Sequence, residues 1–148
     1  MAKNQEMQPV KNIMVGLDTT AIDTTLIDFS TYIAKGAGAE KIYFANIIPN
    51  VQLPEQITAE FPVFLDNAIK DRKRQIEEEV ATKLGENSEF DYEVIVDQGP
   101  RVKKLLKLLK QYNIDTVVLG KKNNLKGQGI LTYRLARRAS CSLFIVPE

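Results

Sequence analysis

Five short runs of apolar residues recur along the chain, each separated from the next by polar sequence carrying a helical period. "NIMVGL" (12–17) is a short apolar run, the pattern of a buried strand, and "KIYFANII" (41–48) reads as the second strand. "FDYEVIVD" (90–97) instead alternates, with Phe90, Tyr92, Val94 and Val96 against Asp91, Glu93, Ile95 and Asp97. Period-two alternation predicts a half-exposed strand at a sheet edge. "IDTVVLG" (114–120) reads as a central strand, and "SLFIVPE" (142–148) as the last one, closed by Pro147.

The segments between them follow the 3.6-residue period. Ile22, Leu26, Ile27, Phe29, Ile33 and Ala34 form one stripe. Thr20 followed by Asp23 predicts a capping box at its start, with Asp in place of Glu, and "KGAGAE" (35–40) ends it. A long helix follows over 57–84, with Phe61, Phe64, Leu65, Ala68, Ile69, Ile76, Val80 and Leu84 inward. Gly99-Pro100 opens a third helix, burying Val102, Leu105, Leu106 and Leu109 and leaving Lys103, Lys104, Lys107 and Lys110 wet. A fourth runs from about Gly129 to Ala139, with Ile130, Leu131, Leu135 and Ala136 inward. Strict β-α alternation predicts one α/β domain with a parallel sheet and helices on both faces. Residues 1–9 are expected to be a flexible tail, and 10–148 the single domain.

Composition narrows the chemistry. The 148 residues contain no histidine and one cysteine, Cys141, expected to be a small core hydrophobe. That removes the commonest general base, every nucleophile–histidine pair and most transition-metal sites, so a binding protein is expected, not an enzyme, and no metal. The N-terminus has no apolar signal core and no run is long enough to span a bilayer, so a cytoplasmic protein without membrane contact is expected. The net charge of +1 hides an asymmetry. Residues 1–100 carry nine Lys/Arg against 17 Asp/Glu, a net of −8; residues 101–148 carry 11 against two, a net of +9. A basic C-terminal third suits an anionic partner or simply a solvated helix face. Its aromatic residues, Tyr112, Tyr133 and Phe144, make no stacking platform, so nucleic acid is not the expected partner.

Parallel sheets bind ligands at the carboxyl ends of their strands. Three segments fall there: Gly16 to Thr20, Asn46 to Pro49, and "GKKNNLKGQGI" (120–130). The last combines flexible glycines, Gly120, Gly127 and Gly129, with Lys121, Lys122 and Lys126 ahead of a helix N-terminus, which suits a phosphate or another small anion. The Walker A and dinucleotide glycine patterns are absent.

"KNIMVGLDTT", "KIYFANIIP", "VDQGPRVKKLLKLLKQYNIDTVVLGKK" and "GQGILTYRLARRASCSLFIVPE" together resemble the universal stress protein family over residues 10–148. The resemblance implies a Rossmann-like, adenine-nucleotide-hydrolase-like fold: a five-stranded parallel sheet of order 3-2-1-4-5. It implies a stress-response binding or regulatory module, homodimeric through Ser142, Leu143, Phe144, Ile145 and Val146. ATP-binding members carry G-x2-G-x9-G-[ST] after strand four. Here Gly120 fits the first position, Asn123 replaces the second glycine, and Gly129 fits the third after five intervening residues instead of nine. Ile130 replaces the hydroxyl. The implied reading is a degenerate loop with weak or no ATP binding. The alternative is an ATP, AMP or other anion site built from Asp18, Asn46, Gly120, Lys121, Asn123, Gly127 and Gly129.

Overall fold

A computed structural model describes residues 9–49, 61–85, 91–121 and 134–147. The elements are β1 (Asn12–Gly16), α1 (Ile22–Ala37), β2 (Lys41–Ile48), α2 (Phe61–Leu84), β3 (Asp91–Gln98), α3 (Arg101–Gln111), β4 (Thr116–Lys121) and β5 (Ser142–Pro147), with residues 134–138 also helical. The strands form one parallel sheet in the order β3-β2-β1-β4-β5. β1 and β2 are internal, and the alternating strand β3 is an edge, as its patterning predicts.

The sheet separates two cores. Ile13, Val15, Ile42, Phe44, Val94 and Val118 face α1 and α2. Met14, Tyr43, Ala45, Val117 and Leu119 face α3 and Leu135 of the 134–138 helix. Successive strand residues point to opposite faces, so a strand buried on both sides is apolar at most positions. Backbone bonds lock the register at the strand ends: Leu17 N–H donates to the Ala45 carbonyl at 2.8 Å, and Gly99 N–H to that of Ile48 at 2.9 Å. α1 stops at Gly38, whose φ of 70° is left-handed and suits a residue without a Cβ.

Three expectations need correction. No capping box forms at α1: its N-cap is Ala21, without a side-chain cap bond, and Asp23 is used otherwise, as described below. Only the second half of α2 buries its stripe. Ile76 and Val80 are inside, whereas Phe64 is 53% exposed and Ala68 is also exposed, because this stretch runs beyond the sheet surface that the helix covers. Ala136 is exposed rather than inward, because Leu135 is the side chain of 134–138 that points at the sheet. Residues 1–8, 57–60 and 129–133, which carry the rest of the predicted tail and helix starts, lie outside the described residues.

Candidate functional site

The carboxyl ends of β1, β2 and β4 bring Asp18, Asn46 and Gly120 to one edge, with Lys121 exposed beside Gly120. Asn123, Gly127 and Gly129, with Lys122 and Lys126, lie outside the described residues.

The turn between β1 and α1 is held by two aspartates. Asp18 Oδ1 accepts the Thr20 N–H at 3.0 Å and also the Thr20 hydroxyl, an Asx-type turn. Asp23 reaches back from the first turn of α1. Its Oδ1 accepts the Asp18 N–H at 3.1 Å and its Oδ2 the Thr19 N–H at 2.8 Å. Thr19 has φ of 62°, a conformation that a β-branched residue adopts only when its surroundings impose it. Asp23 is 1% exposed. Burial pushes its carboxyl up to about 6, the neighbouring Asp18 charge adds to that, and the two backbone donors work against it.

Asn46 is 3% exposed and its side-chain amide is committed at both ends. Nδ2 donates to the Leu17 carbonyl at 2.9 Å, and Oδ1 accepts Arg72 Nη1 at 3.0 Å. It therefore ties the β1 end to α2. Gly120 is needed for packing: a Cβ there would stand 2.8 Å from Ile22 Cδ1, so the absent side chain lets the α1 N-terminus approach β4. Gly16 behaves alike, 2.5 Å from Leu119 Cδ2.

Sequence reasoning missed Asp23 and Arg72. The signal for Asp23 was an acidic residue on the inward stripe of α1, one position after the buried Ile22. Arg72 lies in the charge-rich "KDRKRQIEEE", and nothing in that run marks the arginine that turns to Asn46.

The opposite edge carries a cleft of about 300 Å³ between Val10, Thr116 and Cys141. Its carboxylate, Asp115, is taken up by the Lys11 and Asn12 N–H groups, both at 2.9 Å, and by the Thr116 hydroxyl at 2.8 Å. Cys141 is half-buried against the α3-side core, and burial with the Asp115 charge raises its pKa, which keeps the thiol protonated. Among the described residues no group of His, Cys, Asp or Glu is placed to hold a metal ion. No helix among them is long and apolar enough to cross a membrane.

The family model of the universal stress protein family matches residues 9–147. The chain belongs to this family. No curated protein matches it by sequence. Solved universal stress proteins share its fold. That of UspA from Lactobacillus plantarum is 20% identical, with TM-score 0.72, covering 95% of this chain and 99% of its own. One in complex with cAMP is 17% identical, with TM-score 0.63 and coverage of 95% and 98%. One from Arabidopsis thaliana with AMP bound is 13% identical, with TM-score 0.62 and coverage of 93% and 92%. At these identities the likeness speaks for the universal stress protein fold alone.

Proposed function

We propose that this universal stress protein is a non-catalytic, cytoplasmic regulatory module that acts through protein contacts as a homodimer and binds ATP weakly or not at all. The observation that carries the reading is Asn46. Its amide holds Leu17 and Arg72 and is 3% exposed, so a base passing the β2 end would meet a buried group whose orientation those two bonds already fix. A buried polar group that exchanges one partner for another gains little net free energy. The shortened sequence between Gly120 and Gly129 and the isoleucine at 130 point the same way.

Homodimer formation is supported by β5. It is the outer strand beside β4, Leu143 and Ile145 are half-buried, and Phe144 is 37% exposed with its ring edge-on to Phe29 at 5.8 Å. An apolar edge strand is a template for pairing, and a second copy can cover it without exposing new edges.

The second reading is an adenine nucleotide or other small anion at the same edge. It is favoured by the AMP-bound and cAMP-bound relatives and by Asp18 and Lys121 lying at that edge.

Thermal shift with ATP, ADP, AMP and cAMP, with and without magnesium, separates the two. The leading reading expects no shift with ATP at millimolar concentration. A ligand present at 100 times its dissociation constant stabilises by about 2.7 kcal/mol. A shift of that order with ATP that Asp18→Ala removes would overturn the protein-contact reading. Light scattering at micromolar concentration tests the dimer, and a monomeric mass counts against it.

A further inference from the structure

The charge asymmetry of the sequence becomes an asymmetry between the two faces of the sheet. The connections from β1 to β2 and from β2 to β3 place α1 and α2 over one face; those from β3 to β4 and from β4 to β5 place α3 and the 134–138 helix over the other. The first pair mixes signs: on α2 alone, Asp71, Glu77, Glu78 and Glu79 alternate with Lys70, Lys73 and Arg74. The second pair contains no acidic residue in residues 101–111 or 134–138.

On α3, Lys103, Lys107 and Lys110 are exposed, and none forms an ion pair among the described residues. Lys104 is different, bound to Asp97 Oδ2 at 3.3 Å. Glu93, on the same side of β3, is taken by Lys41 at 3.2 Å. Asp91, at the start of β3, is the remaining exposed acid at that edge among the described residues. Arg134 and Arg138 extend the basic surface on the neighbouring helix.

We propose that this face, centred on Lys103, Lys107 and Lys110, docks an acidic helical segment of a protein partner. Three observations select that occupant. The lysines stand at i, i+4 and i+7, a straight stripe about 10 Å long, which carboxylates at the same spacing on a facing helix match one to one. Among the described residues the exposed large apolar side chains, Tyr32, Val63, Phe64 and Phe144, all lie on α1, α2 and β5, so the described part of this face presents neither the apolar anchors of a membrane-surface helix nor the stacking rings of a single-strand binder. Eight of the 11 cations of residues 101–148 lie on these two short helices, in a chain whose first 100 residues carry a net of −8, so a long duplex would leave the patch and meet repulsion where a short segment would not. The inference deepens the protein-contact reading and fails separately from it: nucleotide binding at the carboxyl edge would overturn that reading without touching this face.

The test is titration of the isotope-labelled full chain with a synthetic alanine-based helical peptide bearing glutamates at i, i+4 and i+7. Amide shifts confined to 101–111 and 134–138 are expected, with affinity falling as salt rises. Lys103→Glu/Lys107→Glu/Lys110→Glu should weaken binding at least tenfold. Lys35→Glu/Lys70→Glu/Lys73→Glu on the other face should leave it unchanged. The corresponding triple glutamine variant, which adds no repulsion within α3, should also lose at least threefold if the first variant fails to fold. No binding at low salt, shifts mapping elsewhere, or equal losses in both triple glutamate variants would overturn the proposal. So would tighter binding of a short duplex DNA or of anionic phosphatidylserine vesicles at the same salt concentration.

Discussion

The carboxylate of Asp23 grips the backbone of Asp18. Oδ1 accepts the Asp18 N–H at 3.1 Å while Oδ2 accepts the next N–H, that of Thr19, at 2.8 Å. One buried side chain thus fixes the turn that presents Asp18 at the carboxyl edge. Its carboxyl sits at about 6 in the fold against 3.8 as an ordinary aspartate. Between those values the folded chain holds a proton that the unfolded chain has released, so this group makes stability fall as pH rises from about 4 to about 6, by up to about 1.4 kcal/mol per pH unit. Below the range both states are protonated and above it both are ionised, so the contribution is flat. Urea unfolding of the wild type and Asp23→Asn across pH 4–7 checks this. The Asn variant should lack that slope, and the Asp18 and Thr19 amide shifts should titrate near pH 6 only in the wild type.

Asp23→Ala should cost more than the titration does. It leaves the Asp18 and Thr19 N–H groups without their acceptor in a partly buried turn, at about 1–3 kcal/mol for each unsatisfied donor. A denaturant midpoint within error of the wild type would show that water replaces the carboxylate freely.

Thr19 carries φ of 62° with a branched side chain. Thr19→Gly removes that strain, worth about 1–3 kcal/mol, against about 0.5–1 kcal/mol lost to the greater freedom of the unfolded chain. A net gain of about 1 kcal/mol is expected, read as a rise in melting temperature. A fall would mean that the Thr19 hydroxyl, which donates to the Asp18 carbonyl, outweighs the strain.

Gly120 and Ile22 test packing at the same edge. Gly120→Ala places a methyl 2.8 Å from Ile22 Cδ1 and should destabilise by about 1–3 kcal/mol. Ile22→Val deletes that atom, so the double variant should recover at least about 0.5 kcal/mol relative to additivity. Additive behaviour would place the cost of Gly120→Ala in the backbone instead.

Asn46→Asp separates charge from hydrogen bonding. The new carboxylate gains Arg72 but turns an oxygen toward the Leu17 carbonyl that Nδ2 now satisfies. Because the site is buried, the lost donor should win, and the variant should be less stable by about 1–3 kcal/mol at pH 7. Equal or greater stability by urea unfolding would mean that Arg72 dominates.

The periodicities alone were enough for the architecture. Short, largely apolar runs between helical stretches fit strands buried on both faces, and the alternating β3 fits an edge where one face meets less cover. The positions of Asp18 and Gly120 at strand ends followed from that order and from the family resemblance. The roles of Asp23, Asn46 and Arg72 did not, because each depends on a partner across the fold: Asn46 is 29 residues from Leu17 and 26 from Arg72. Nor could periodicity tell that the first half of α2 runs past the sheet, since a stripe records which side of a helix is apolar and not how far its cover extends. The lysine spacing in "KKLLKLLK" was plain in the sequence, but only the topology put that stripe and Arg134 and Arg138 on one face, opposite α1 and α2. Local pattern sets which residues turn inward along each element. The handedness and order of the crossovers set which elements share a surface, and that is decided only when the sheet closes into a single register.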